Sequence, residues 1–287
     1  YLKQKSYKRF FGGKGSNTVY AAAKMGAKVY FFGAFGSKQD IDSTEHIQHL
    51  QEGGVIVDVQ RVEGETLSQA YVYANHDRQQ VSMVYRGANR HADQSRIPDA
   101  LLDEHTIALG QTSVPVAQTM AFFARAKARG ATVVFNCTKV DDVTREHFDL
   151  VDELVVNLDE ATNIAKKFGI MYGSPEALTA ALAKELNVIA VVTRGGKSVL
   201  YAEREGSEVY VKQVPTPSIR PRDVTGAGDA LLGSYVAFRA RGRCVEQSLQ
   251  LGVMAGAFTA KSESTTRPRL ARAVRLANHI QRRKLAM

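Results

Sequence analysis

Asp223-Val-Thr-Gly-Ala-Gly-Asp-Ala-Leu-Leu-Gly233 is the stretch on which the reading of this chain turns. Gly226 and Gly228 permit a tight turn free of side chains. An apolar helical run follows at once (Ala230, Leu231, Leu232, Tyr235, Val236 and Phe238), and Gly242 stops it. Such a turn aims backbone N–H groups and the positive end of a helix dipole at one spot, which suits a phosphate. Asp229 lies at that same spot. A carboxylate adds no attraction for an anion, so its expected task is to accept a proton from an attacking hydroxyl. A capping Asp in a glycine turn is the competing interpretation.

The second informative stretch is Gly12-Gly-Lys-Gly-Ser-Asn17, followed by a helix over Thr18–Met25, a stop at Gly26 and a strand over Lys28–Phe32. The two stretches, in this order and about 210 residues apart, resemble the two signatures of the ribokinase-like (PfkB) carbohydrate kinases. The resemblance runs from about residue 8 to residue 260. It implies an α/β fold, a ribokinase-like three-layer αβα sandwich with a mostly parallel central sheet and a small β-sheet lid. Residues 1–287 are then one kinase domain, with lid strands around 1–11 and 67–88. The implied activity is ATP-dependent transfer of a phosphoryl group to a primary hydroxyl of a sugar, ribose or a similar pentose first.

Composition bounds the alternatives. At 287 residues and 44% hydrophobic content the chain can bury one large core, or one core and a small appendage. No apolar run is long enough to cross a bilayer, and no signal-peptide pattern opens the chain. Cys137 and Cys244 form no disulfide framework, so a reducing cytoplasm is the expected compartment. The net charge of +9 invites a nucleic-acid partner, but its distribution argues against one. Residues 261–287 hold eight Lys or Arg against one acid, leaving only +2 for the rest. That tail, Pro268 to Ala286, carries Leu270, Ala273, Val274, Ala277 and Ile280 at helical spacing and reads as an amphipathic surface helix.

Strand and helix patterns alternate, which implies parallel strands joined by crossover helices. Strands are expected at Lys28–Phe32, Thr106–Leu109, Thr132–Asn136, Glu153–Asn157 and Val188–Thr193. Helices are expected at Thr44–Gln51, Val116–Arg129, Glu160–Phe168, Pro175–Leu186 and Val245–Lys261. Asn136, Asn157 and Thr193 end three of those strands, and ligands of open parallel sheets bind beyond the strands' carboxyl ends. Leu67–Tyr73 and Gln80–Arg86 alternate around the turn-rich Asn75-His-Asp-Arg78 and read as a β-hairpin. His46 and His49, at i and i+3 without carboxylate or cysteine partners, read as a helix-surface pair rather than a metal site.

The family resemblance assigns further roles. Gly226, Ala227 and Gly228 supply the anion hole and Asp229 the base. Gly12, Gly13, Lys14 and Asn17 meet the sugar, with Asn17 offering an amide to its hydroxyls and Lys14 read physically as a solvated lysine. Asn157-Leu-Asp-Glu160 resembles the family's Asn-x-x-Glu element, in which Glu160 organises Mg²⁺ through water near the nucleotide; an ordinary acidic helix start is the competing interpretation. Thr193-Arg-Gly-Gly196 resembles the nucleotide-binding Thr-x-Gly, so Thr193 and Gly195 face ATP beside Asn157, while Arg194 is an exposed side chain. Asp223 and the Thr225 carbonyl match positions that hold K⁺ in many relatives, although Ser262-Glu-Ser-Thr-Thr266 lacks the glycine expected in the rest of that site. The resemblance also allows a homodimer through the lid, and implies no nucleic-acid or membrane partner.

Three departures qualify this. Only Tyr1 to Phe11 precede Gly12 and none is Asp, so a first strand and its sugar-binding Asp are expected to be missing from this sequence. Gly110-Gln-Thr-Ser113 has no acid where ribokinase places a Glu on the sugar, and Val253 or Met254 falls where ribokinase has a His. Arg86, Arg90 and Lys139 near the site edges keep phosphosugar acceptors open. The alternatives are therefore a phosphofructokinase-like phosphosugar kinase, a nucleoside kinase, and an inactive sugar- or nucleotide-binding protein. A nicotinamide-dependent dehydrogenase fails for want of a Gly-x-Gly-x-x-Gly turn between an early strand and helix.

Overall fold

The computed structural model describes residues 8–74, 80–262, 264–266 and 270. Its centre is a six-stranded sheet of β5 (Ile107–Gln111), β6 (Thr132–Asn136), β7 (Glu153–Asn157), β8 (Ile189–Thr193), β9 (Val199–Glu205) and β10 (Glu208–Val214), in the order β10-β9-β8-β7-β6-β5. From β5 to β8 the strands are parallel, and β9 and β10 add an antiparallel edge. The crossovers are α3 (Val116–Ala128), α4 (Leu158–Phe168) and α5 (Pro175–Leu186). These pack on one face, and α1 (Lys14–Lys24), α6 (Ala227–Arg239) and α7 (Val245–Ala260) pack on the other.

Strand alternation decides which residue serves which layer. Val133, Phe135, Leu154, Val156, Ala190 and Val192 join the core under α3, α4 and α5, whereas Val134, Val155 and Val191 join the core under α6 and α7. Both faces are buried, so these strands read as continuous apolar runs. The helix starts follow local chemistry. Ser174 accepts from the Ala177 amide ahead of Pro175, and Gly169 and Asn187 end α4 and α5 in left-handed conformation.

Helix α6 is buried along nearly its whole length, and its neighbours come unusually near. A Cβ on Gly233 would sit 2.1 Å from the Thr18 carbonyl oxygen of α1; Gly252 and Gly256 of α7 approach the Leu231 and Ala227 carbonyls in the same way. At its far end, buried Glu153 of β7 accepts from the Tyr235 hydroxyl (2.6 Å) and from Arg239 Nε (2.8 Å). Backbone contact and a paired buried carboxylate thus hold α6 along its length.

Several expectations are met and some are corrected. β6, β7 and α5 have the expected bounds, and β3 (Gln69–Ala74) and β4 (Gln80–Tyr85) form the antiparallel hairpin. The strand expected at Lys28–Phe32 is β1 (Tyr30–Gly36), displaced because Gly33 and Gly36 lie inside it. Gly36 is needed there, since a Cβ would lie 2.4 Å from Asp40 Oδ2. β2 (Ile56–Val62), β9 and β10 had no counterpart among the expected strands. Lys8–Phe11 form no strand; residues 1–7, the hairpin tip and nearly all of the Pro268–Ala286 tail lie outside the described residues. The histidines are not a surface pair. His46 on α2 (Ile41–Glu52) is buried against Phe11 and Phe35, His49 stacks on Phe11 and Tyr20, and desolvation lowers the His46 pKa to about 4.

The parallel pair β1–β2 stands apart from the six-stranded sheet. The free edges of β1 and β5 line a common cavity of about 1660 Å³, floored by Phe122 of α3 and roofed by Val236 and Ala237 of α6. Gly233→Ala is expected to cost about 1–3 kcal/mol or more, because the clash is with backbone and cannot be relieved by a rotamer. Urea unfolding of this variant against wild type measures it.

Candidate active site

The site forms where the amino ends of α1 and α6 meet. Gly13 caps α1 with φ 96°, a left-handed value open to glycine, and its carbonyl accepts from the Asn17 amide at 2.9 Å. Gly226 caps α6 in left-handed conformation (φ 75°), and the Ala230 amide closes the first helical bond to its carbonyl. The amides of Gly228 and Asp229 in that first turn have no acceptor within the helix. A Cβ added at Gly228 would meet no atom within 4 Å, so this turn opens outward. Among the expected anion-hole residues, Gly226, Ala227 and Gly228 therefore do form one helix amino terminus.

Asn17 and Asp229 are joined directly. Asn17 Nδ2 donates to Asp229 Oδ2 at 2.8 Å, in a bond buried from solvent. Asn17 Oδ1 is buried with no partner, so one acceptor beside the carboxylate is left unused. Asn17 lines the cavity and Asp229, 9% exposed, lies one hydrogen bond behind it. Burial raises the pKa of the Asp229 carboxyl, opposed by the Lys14 charge and the Asn17 bond. Lys14 is consequently more than a solvated lysine. Its Nζ is 4.0 Å from Glu160 Oε1, and its charge acts on both carboxylates.

Glu160 makes a complete capping box. Its amide donates to Asn157 Oδ1 (2.8 Å), and its Oε2 accepts from the Asn157 amide (2.9 Å). The helix-start interpretation of Asn157-Leu-Asp-Glu160 is thus met: one carboxylate oxygen caps the helix, and the other faces Lys14. Burial raises the Glu160 pKa, with the Asn157 bond and Lys14 opposing and Asp229 adding to the rise. Thr193 is the register partner of Asn157 across β7 and β8, so the two expected nucleotide residues do lie side by side. Gly195 follows in the turn to β9 with φ 61°. Arg194 is not a free surface side chain: its Nε donates to the Ser198 carbonyl (3.0 Å), and its Nη1 pairs with Glu176 at 3.1 Å.

Elsewhere the side chains are more committed than their positions in the sequence suggested. Asn136 is spent within the sheet: its Nδ2 donates to the Val155 carbonyl (2.7 Å) and its Oδ1 accepts from Gln111 Nε2 (3.2 Å). Gln111 and Thr112 line the cavity with a neutral amide and a hydroxyl. Asp223 Oδ1 accepts from the Thr225 amide at 2.9 Å, a local turn, and the Asp223 amide is bound to the Ala260 carbonyl. Arg90 is paired with Glu65 at 2.7 Å. Thr265, whose loop the sequence analysis had set only against the expected cation site, reaches both glycine turns. Among the described residues no group of three or more His, Cys, Asp or Glu side chains converges to hold a metal by itself.

The fold brings two helix amino ends together, one carrying a buried carboxylate beside its free amides, an arrangement suited to moving a phosphoryl group onto a hydroxyl. Comparison with known proteins agrees. The model of the pfkB family of carbohydrate kinases matches residues 2–272, and the chain belongs to that family. Ribokinase of Haemophilus influenzae is 25% identical over 264 residues, covering 90% of this chain and 83% of the relative. The solved ribokinase of Thermotoga maritima superposes with a TM-score of 0.84 at 23% identity, over 96% of this chain and 91% of that one. Arabidopsis thaliana ribokinase, solved with ribose and ATP, gives 0.80 at 23% identity over 96% and 90%. Among the described residues no helix is long and apolar enough to cross a membrane.

Because folding favours the neutral Asp229 carboxyl, the ionised form weighs against stability. That cost is absent below the unfolded pKa of about 3.8 and grows as pH rises through the higher folded value. Asp229→Asn is therefore expected to unfold at a higher temperature than wild type at pH 7, with the gap narrowing toward pH 4. Thermal scans at both pH values check it.

Proposed function

We propose that this chain transfers the γ-phosphoryl group of ATP to a primary hydroxyl of a sugar, ribose or a close pentose first, with Asp229 as the base. The observation that carries this reading is the Asn17–Asp229 bond, which leaves Asn17 Oδ1 buried and unpaired. A sugar hydroxyl entering between Gly13 and Asp229 has an acceptor there for its proton. As its oxygen bonds to the γ-phosphorus, the bond to the ADP oxygen breaks and the proton passes to the carboxylate. Burial raises the carboxyl pKa toward working pH, and the Asn17 bond and Lys14 oppose that rise.

The amides of Gly228 and Asp229 take the transferring group, where losing one such donor typically costs about 10²–10³ in rate. Asn157, Thr193 and Gly195 serve the nucleotide, supported by the pairing of Asn157 with Thr193. Glu160 Oε1 is the one oxygen of its capping box left over, and one such group suits Mg²⁺ held mainly by nucleotide phosphates and water. Bound there, the ion neutralises charge on the phosphates. A monovalent cation would be held by the Asp223 carboxylate, whose Oδ1 also accepts from the Thr225 amide, and by the Thr225 carbonyl. Residues 1–287 act as one domain with its lid. The exposed Tyr71, Val72, Met83 and Val84 on that lid support pairing with a second copy.

Two measurements test the reading. ADP release with ribose, ATP and Mg²⁺ is expected from wild type, and Asp229→Asn should lose about 10²–10⁴ of it while staying folded. Retained turnover in that variant defeats the mechanism, and sugar binding without ADP release from wild type points to the inactive binder. Asn17→Ala removes a bond that lowers the Asp229 pKa, so the acid limb of the pH–rate profile should move to higher pH. A limb that stays put denies Asp229 its role as base.

A further inference from the structure

Thr265 stands between the two glycine turns, on a loop that neither signature contains. Its Oγ1 donates to the Phe11 carbonyl at 2.9 Å, the peptide that leads directly into Gly12 and Gly13. On its other side it abuts the anion turn: a Cβ on Gly226 would meet Thr265 Cβ at 2.9 Å and Cγ2 at 3.0 Å. The side chain therefore fills the space that glycine leaves at position 226, while its hydroxyl orients the peptide before position 12. Its loop is itself anchored. Thr266 is buried with its Oγ1 3.0 Å from His49 Nε2, and the His49 ring stacks on Phe11 at 4.7 Å. The Phe11 ring is thus held by α2, and its carbonyl is held by Thr265.

We infer that Thr265 is a positioning residue that sets the acceptor loop Phe11–Gly13 against the Gly226 turn, with its hydroxyl governing acceptor binding and its methyl-bearing carbon governing the alignment of the transferring group. This rests on the reading of Gly13, Asn17 and Asp229 as the acceptor and base side of the site. The two contacts are chemically separable. Valine keeps the branched shape beside Gly226 and removes the donor to Phe11; serine keeps the donor and removes the methyl; alanine removes both.

Steady-state kinetics with ribose and ATP separate the roles. Thr265→Val is expected to raise the KM for ribose about fivefold, the value of one neutral hydrogen bond, with the KM for ATP and the acid limb of the pH profile unchanged. Thr265→Ser should restore the ribose KM and lower kcat instead. Thr265→Ala should show both defects. A ribose KM for Thr265→Val equal to that of wild type overturns the inference. So does a valine variant whose ATP KM rises as much as its ribose KM, or a serine variant that fails to restore the ribose KM. Thermal unfolding of each variant accompanies the kinetics; valine and serine defects that both simply follow lost stability also overturn it. Absence of any ribose-dependent ADP release from wild type would count against the function itself, and a ribose titration of wild type and Thr265→Val by calorimetry then reads the acceptor contact without turnover.

Discussion

One hydrogen bond, from the Asn17 carboxamide to the Asp229 carboxylate, joins residues 212 positions apart and makes two glycine turns into one site. It exists only because α1 and α6 approach to backbone contact where Gly233 meets the Thr18 carbonyl. Any side chain at Gly233 would push the helices apart, and a shift of about 1 Å at a reacting centre can cost 10²-fold in rate. The buried Glu153–Arg239–Tyr235 group fixes the far end of the same helix. Packing deep in the core therefore governs geometry at the mouth of the site.

The electrostatics follow from that placement. Two carboxylates, Asp229 and Glu160, are withdrawn from water within reach of the Lys14 charge, and burial is the largest influence on each. A lone buried carboxylate would simply stay protonated. Here the lysine and the Asn17 amide offset part of the desolvation for Asp229, while a capping amide and the lysine do so for Glu160. The helix amino end next to Asp229 favours a negative charge as well. This is the arrangement in which a proton acceptor and an anion cradle can share one turn.

Much of the fold was legible because it is local. Pro175 behind Ser174, Gly169 behind α4 and the apolar runs of β6, β7 and β8 each act within a few residues, and those elements have nearly the expected bounds. Errors arose where local signals mislead. Gly33 and Gly36 look like strand breakers yet sit inside β1, because Gly36 must clear Asp40 and the Glu65 carbonyl. His46 and His49 look like surface residues until Phe11, Tyr20 and Phe35 close over them. Thr265 was illegible, since its partners Phe11 and Gly226 are distant in the chain.

By itself the sequence determined the alternation of strand and helix, the two glycine turns with their helices, the candidate base at Asp229 and the capping chemistry of Asn157 and Glu160. Those depend on allowed backbone angles and on side-chain periods of two and 3.6, which act over a few residues. Only the tertiary structure decided which turns face each other, which polar side chains are already spent, and that the Lys14 charge acts on two carboxylates. It also decided that β1 and β5, strands of two separate sheets, line one common cavity. Contacts of that kind close long loops and are selected by burial and fit across the whole core, which no short stretch of chain encodes alone.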